Sequence, residues 1–384
     1  MANTLNAAVR HWMFEEALPF WAEHGIDRAG GGYVEQLHLD GSDAAVDFKR
    51  VRVIARQIYV FSHAALLGYG NGANLADHGY QYLINKAWQG SDRGWARALD
   101  RHGRVKDATA DLYDHAFVLF GLGWFFRLTK DPQVLGWARR TLDFLDVHMR
   151  HPGGRGYLTE LPPSGHRKQN PHMHLLEAAL ANFEPSGDDR FLALADEIAT
   201  LFGDHFYDGA SQTLGEHFDE DWRRAPGDAG RMVEPGHQFE WAWLLAGYQR
   251  VTGRDMREFA RGLFAFAEAH GVDPQSHAAF DLVRDDGLVL DGRSRTWPNA
   301  ERIQAAVAMF EFDGRDPRPI FEQSGRLLLD RYLSHWPRGT WIDQFAADGT
   351  PLSTTIPAST FYHLCIAFAE MLRVEDQVER AFAS

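Results

Sequence analysis

Four stretches of this sequence repeat one signature: an aromatic residue, seven further positions, then glycine. They are Tyr33 to Gly41, Trp95 to Gly103, Tyr157 to Gly165 and Trp341 to Gly349. From Tyr33 to Trp95 is a step of 62 positions, and from Trp95 to Tyr157 another 62. Carried on, the step reaches Phe218 and Phe280, and Trp341 follows 61 later. A fixed period of this length marks a chain built from stacked, similar units, none of which can bury its apolar face alone. The chain therefore divides into six degenerate units, each opened by a short hairpin or extended ribbon.

Between the ribbons the apolar residues recur at helical spacing. Helices are expected near 4–24, 49–68, 72–88, 109–127, 131–150, 170–183, 187–206, 235–252, 255–270, 297–311, 316–333 and 357–373. That is two per unit. The even-numbered ones are apolar nearly all round, as in Phe117-Val-Leu-Phe-Gly-Leu-Gly-Trp-Phe-Phe and Phe361-Tyr-His-Leu-Cys-Ile-Ala-Phe-Ala. A helix apolar on every side is buried on every side. The odd-numbered ones are amphipathic and read as an outer layer. Six inner and six outer helices make an (α/α)6 barrel, a single all-α domain over 1–384 with short β-hairpins between helix pairs. The alternative is an open solenoid, whose terminal repeats present polar caps. The last helix here is among the most apolar, which favours a closed ring.

Composition narrows the partners. The formal net charge is -14 and no basic face stands out, so nucleic acid is not an expected partner. The lone Cys365 excludes an internal disulfide framework and a cysteine-based zinc site. No run of about 18 apolar residues occurs, so no membrane span is expected. The first residues, Met1-Ala-Asn-Thr-Leu-Asn, lack the pattern of a signal peptide, and a cytoplasmic location is the expectation. The 12 Trp, 26 Phe and 19 His suit an aromatic-walled pocket for a sugar, although a large core also uses the aromatics.

Polar residues that interrupt the inner helices are the candidates for chemistry. Arg56 lies in the second helix, Tyr113 and His115 in the fourth, Asn170, His174 and Glu177 in the sixth. His237 and Glu240 lie in the eighth, Trp297 and Glu301 in the tenth, and His363 in the twelfth. Arg56, His115, His174, His237, Glu301 and His363 each follow their ribbon aromatic by about twenty positions. Equivalent positions in a closed ring point to one axis, so these six are expected to share a pocket at one mouth. Buried polar groups need partners or water, and a ring of them is hard to explain as packing. His237 and Glu240, three apart, share one helical face. Plainer readings exist: His115, beside Asp114, suits a hydrogen-bonded core residue, and Glu177 suits an orienter of His174. A metal is not expected, because helical zinc motifs place two His four apart and none of these histidines is so spaced.

Together the motifs Ile54-Ala-Arg56-Gln-Ile-Tyr, Met173-His174-Leu-Leu-Glu177-Ala, Pro235-Gly-His237-Gln-Phe-Glu240-Trp and Ser359-Thr-Phe-Tyr-His363 resemble those of the N-acylglucosamine 2-epimerase family, across essentially the whole chain. Asp111-Leu-Tyr-Asp-His115-Ala-Phe, Asn170-Pro-His-Met-His174 and Arg295-Thr-Trp-Pro-Asn-Ala-Glu301 are most similar to its aldose–ketose isomerase branch, of the D-mannose isomerase type. The resemblance implies an (α/α)6 barrel and a cofactor-free, metal-free interconversion of D-mannose and D-fructose, with D-lyxose and D-xylulose as a related pair. It implies His363 as the proton shuttle between C2 and C1. His237, oriented by Glu240, would open the sugar ring, and Arg56 would stabilise the enediolate. His174 is a second acid or base on the opposite face. Tyr113, His115, Asn170, Glu177, Trp297 and Glu301 are expected around the substrate. A 2-epimerase of the mannose/glucose, cellobiose or N-acylglucosamine type is the alternative, followed by a sulfoquinovose isomerase or a glycoside hydrolase or lyase. The expected partner is a monosaccharide, and the expected assembly a monomer or homodimer.

Overall fold

The computed structural model describes residues 2–383; Met1 and Ser384, at the ends of the expected domain, lie outside them. Twelve helices alternate between an outer and an inner layer, as the periodicity predicts. The inner ones are α2 (Val51–Leu66), α4 (Leu112–Thr129), α6 (Asn170–Ser186), α8 (Pro235–Thr252), α10 (Thr296–Asp313) and α12 (Phe361–Arg373). The outer ones are α1 (2–24), α3 (Gly72–Lys86), α5 (132–149), α7 (189–206), α9 (Arg257–His270) and α11 (318–332). One further short helix, α13 (Glu375–Ala381), was not expected from the sequence. Proline in the first turn of α6 and α8 suits the helix start, where its missing N–H costs nothing. Asp111 caps α4 by accepting from the Asp114 N–H.

Each inner helix packs on the next, and α12 packs back on α2, so the ring is closed. The ribbons close it a second time. They do form hairpins, but each also pairs antiparallel with the neighbouring unit, just ahead of an inner helix: Arg50 with Ala98, Ala110 with Leu161, Lys168 with His217, Val233 with Val283, Ser294 with Phe345. The last junction joins Ile356 to Leu37, sequence end to sequence start. At this seam Trp21 stacks on Trp341 at 5.0 Å, the Trp21 indole donates to the Gly339 carbonyl, and the Gln57 amide donates to the Ala358 carbonyl. An open solenoid has no such contacts.

The ribbon register differs from the expected one in two units. Tyr33, Trp95, Tyr157, Leu214 and Ala279 occupy equivalent bridging positions, opposite Ile26, Trp88, Arg150, Tyr207 and Val272. The true anchors are thus Leu214 and Ala279 rather than Phe218 and Phe280, because the third step is short and the fourth long.

Four of these anchors are tied to the inner layer by one recurring hydrogen bond. The N–H of Trp95 donates to His115 Nε2 (3.1 Å) and that of Tyr157 to His172 Nε2 (3.0 Å). That of Leu214 donates to Gln238 Oε1 (3.1 Å) and that of Ala279 to Asn299 Oδ1 (2.9 Å). His115 therefore does not face the common pocket. Its other nitrogen engages the Asp111 carbonyl at 2.7 Å and its ring stacks on Phe144, so it satisfies buried backbone groups and nothing else. The lumen-facing position lies two residues further along each helix, at Phe117, His174, Glu240 and Glu301.

Candidate active site

All six inner helices run the same way, so their amino-terminal halves gather at one mouth. Three buried imidazoles converge there, each held at Nδ1 by a carboxylate. His363 Nδ1 is 2.6 Å from Glu301 Oε1, and Glu301 also accepts from the Gln304 amide. His174 Nδ1 is 3.0 Å from Glu177 Oε2, whose other oxygen accepts from the Tyr362 hydroxyl. His237 Nδ1 is 2.9 Å from Glu216 Oε2. The Trp297 indole lies against both His237 and His363, with ring centroids at 5.2 and 5.6 Å. These two histidines thus meet at the same indole ring. The close approach depends on Gly236, where a Cβ would sit 2.3 Å from the Trp297 ring.

Glu240 does not orient His237, contrary to expectation; Glu216 does. Glu216 lies in the ribbon ahead of α8 and is clamped by the Gln169 amide (2.9 Å) and the Glu234 N–H (3.2 Å). Gln169 is fixed in turn by the Trp241 indole at 2.7 Å. Neither Glu216 nor Gln169 belongs to a sequence motif with periodicity, so nothing in the sequence singled them out. Glu240 instead stands between the other two pairs. It is 3.6 Å from His174 Nδ1, and its ligand atoms lie within 4.8 Å of those of Glu301 and His363. Both its oxygens are buried without a hydrogen-bond partner, an arrangement that costs several kcal/mol unless something polar enters the cavity.

Arg56 spans the seam. It donates to the Tyr113 hydroxyl at 2.8 Å and the Ser359 carbonyl at 3.2 Å, and its guanidinium lies 4.0 Å from the Phe117 ring centre. Tyr113 also packs edge-on against His174 at 5.0 Å. Asn170 opens α6 beside Gln169, with its amide oxygen buried and unpaired. Of the expected residues, then, the structure brings together Arg56, Tyr113, His174, Glu177, His237, Glu240, Trp297, Glu301 and His363. It adds Glu216, Gln169 and Tyr362, and leaves out His115.

The imidazoles differ in charge. Burial pushes His363 well below its ordinary value, and the nearby Arg56, His174 and His237 push it further. His174 is likewise lowered by burial, then by Arg56 and His237. Burial lowers His237 too, but Glu216 and Glu234 outweigh it and hold the ring up at about 9. Burial raises Glu301 and Glu177 well above the carboxylate range and Glu240 to about 7. At neutral pH the cavity presents two neutral imidazoles with Nε2 unengaged, one imidazolium and one guanidinium. That set can remove a carbon-bound proton, donate a proton to oxygen and stabilise an oxyanion.

Three imidazole–carboxylate groups also have the make-up of metal sites: His174 with Glu177 and Glu240, His237 with Glu216 and Glu234, and His363 with Glu240 and Glu301. In each, however, an imidazole nitrogen already contacts a carboxylate oxygen at hydrogen-bond distance. Two ligands sharing a tetrahedral ion stand about 3.4 Å apart, given metal–ligand bonds of about 2.0–2.1 Å. The donors fit one another better than they fit an ion.

The model of the N-acylglucosamine 2-epimerase (GlcNAc 2-epimerase) family matches residues 31–367. The chain belongs to this family. A mannose-6-phosphate isomerase of Rhizobium meliloti is 36% identical over 378 residues, covering 96% of both chains. A cellobiose 2-epimerase of Bacteroides fragilis is 25% identical, covering 91% of this chain and 93% of that one. A crystal structure of a D-mannose isomerase superposes with a TM-score of 0.85 over 97% of this chain and 98% of that one; at 22% identity it bears on the fold alone. As a member of the N-acylglucosamine 2-epimerase family, the protein is a sugar isomerase or epimerase. No helix among the described residues is long and apolar enough to cross a membrane.

Proposed function

We propose that the protein interconverts D-mannose and D-fructose through a cis-enediol, without a metal. The observation that carries this reading is the pairing of a neutral His363 with a cationic His237, both against the Trp297 indole. His237 gives its proton to the ring oxygen as the pyranose opens and takes the O1 proton as the C1 carbonyl forms. His363 Nε2 takes the C2 proton of the open-chain aldose while the carbonyl oxygen at C1 is protonated. Arg56 stabilises the charge that develops on the enediolate oxygens. The O2 hydroxyl then loses its proton, the carbonyl forms at C2, and His363 returns its proton to C1. Glu240, unpaired and raised to about 7, is placed to carry protons between the two hydroxyls.

Free hexoses are favoured over phosphorylated ones. Arg52 and Arg295, the part-exposed guanidiniums next to Tyr113 and Trp297, are already paired with Asp114 and Asp281. One observation favours a second reading. Glu177 holds His174 as Glu301 holds His363, so a second neutral imidazole is ready to deliver a proton. Delivery to C2 from the opposite face gives 2-epimerisation. Hydrolysis needs two free carboxylates flanking a bond, and Glu301 is engaged by His363.

Turnover of D-mannose, D-mannose 6-phosphate, D-lyxose, D-glucose and cellobiose in deuterated water tests these readings. The isomerase places deuterium at C1 of fructose, the epimerase at C2 of the epimer. His363→Asn is expected to abolish exchange of the C2 hydrogen; retained exchange removes it as the shuttle. Exhaustive chelation is expected to leave the rate unchanged, and a loss restored by a divalent cation overturns the metal-free reading.

A further inference from the structure

The barrel lumen has a second opening. At the carboxyl-terminal ends of five inner helices lies a cavity of about 510 Å³, lined by residues of α2, α4, α6, α8 and α12. That volume falls within the roughly 300–1,000 Å³ of small-molecule sites. It is separated from the catalytic mouth by an aromatic plug. Tyr362 packs against Phe117 at 5.3 Å, Tyr59 at 5.5 Å and Phe120 at 5.6 Å. Glu177 belongs to both sides: it lines the far cavity while holding His174 and Tyr362.

The lining states what would fit. Trp124, Trp243, Phe120 and His63 give it aromatic walls. Burial pushes His63 down to about 4, so the ring is neutral at neutral pH; its Nδ1 meets the Tyr59 hydroxyl at 2.9 Å and leaves Nε2 unengaged. The Trp124 indole N–H is buried with no hydrogen-bond partner. The rim guanidiniums are already neutralised, Arg127 by Glu184, Arg250 by Glu311 and Arg373 by Glu370. A charged ligand finds no unpaired charge there. A ligand with apolar faces for the aromatic walls and hydroxyls for the spare donors and acceptors does fit. We propose that this far cavity is a second site for a neutral monosaccharide, distinct from the catalytic mouth and reaching His174 through Glu177.

The test uses the indole N–H resonances of the full-length protein, with Trp124 assigned from Trp124→Phe and Trp297 from Trp297→Phe. Titration with D-mannose or D-fructose is expected to shift the Trp124 signal saturably. Gly247→Leu places its side chain in this cavity, and the added Cβ meets only Leu180 and Arg250 at 3.6 and 3.8 Å. In that variant the Trp124 shift is expected to disappear while turnover and the Trp297 shift persist. A Trp124 signal that stays still in the unaltered protein, or shifts equally in Gly247→Leu, overturns the proposal. A response to sulfate but not to sugar overturns the ligand class. An unmoved Trp297 signal counts against the catalytic reading instead.

Discussion

His237 and His363 are both buried and both hydrogen-bonded to a glutamate, yet burial and neighbours drive them to opposite charge. Around His237 stand Glu216, Glu234 and Glu240; burial opposes the charge on Glu216, but His237 first and then the Gln169 and Glu234 donors hold its carboxyl below the ordinary value, so the carboxylate and the imidazolium stabilise each other despite desolvation. Around His363 the fields come from Arg56 and the other two histidines, and its own partner Glu301 is raised, so the neutral ring is favoured. The pair is thereby set as acid and base at the same pH. Because His237 is raised to about 9, its acid form is present below that value and is lost as the pH rises through it. The expected profile of kcat/KM therefore falls on the alkaline side near pH 9. Glu216→Gln keeps an acceptor but removes the charge, so the alkaline limb is expected to move toward the ordinary histidine range near 6.5, with activity at pH 8 down about tenfold or more. An unmoved limb would show that Glu216 only positions the ring.

At the scale of the helix and its ribbon, two polar positions lie two residues apart, and this explains what the sequence did and did not make legible. The number, order and layer of the twelve barrel helices were readable because an inner helix must be apolar all round and an outer one on one side only. The lumen-facing His174, Glu301 and His363 stood out as polar breaks in such helices. His115 stood out for the same reason, but it occupies the tie position shared with His172, Gln238 and Asn299. The lumen position of that unit holds Phe117, which looks like any core residue. Glu216 was invisible because ribbons of unequal length carry no periodicity from which to read a direction. The two positions are separable by experiment. His115→Leu leaves the buried Trp95 N–H without its partner, and is expected to cost about 1–3 kcal/mol of stability. The kcat/KM of the folded fraction is expected to stay unchanged. A large loss of kcat/KM with an unchanged unfolding midpoint would return His115 to the active site.

At the scale of the whole molecule, the active site exists because the ring is shut. Arg56 comes from the first unit and is held by the Ser359 carbonyl of the sixth, four residues before His363. The seam that fixes this distance is the Trp21–Trp341 stack, the Gln57 amide and the pairing of Leu37 with Ile356. A cut through any other pair of neighbouring units would leave Arg56 and His363 together; a cut here would not. Trp21→Ala and Phe264→Ala each remove a fully buried aromatic and are each expected to cost about 3–5 kcal/mol. Phe264, on the outer helix α9, packs on Phe239 of the inner helix α8, away from the seam. The two variants are thus matched in stability loss and differ in where the ring is loosened. Phe264→Ala is expected to keep the kcat/KM of the native protein at temperatures where it remains folded. Trp21→Ala is expected to lose kcat/KM under the same conditions, because Arg56 and His363 drift apart before the barrel unfolds. Measured unfolding midpoints alongside kinetics at a temperature well below both decide the matter. Equal kcat/KM in the two variants would mean that the catalytic geometry is local to the inner helices and owes nothing to closure.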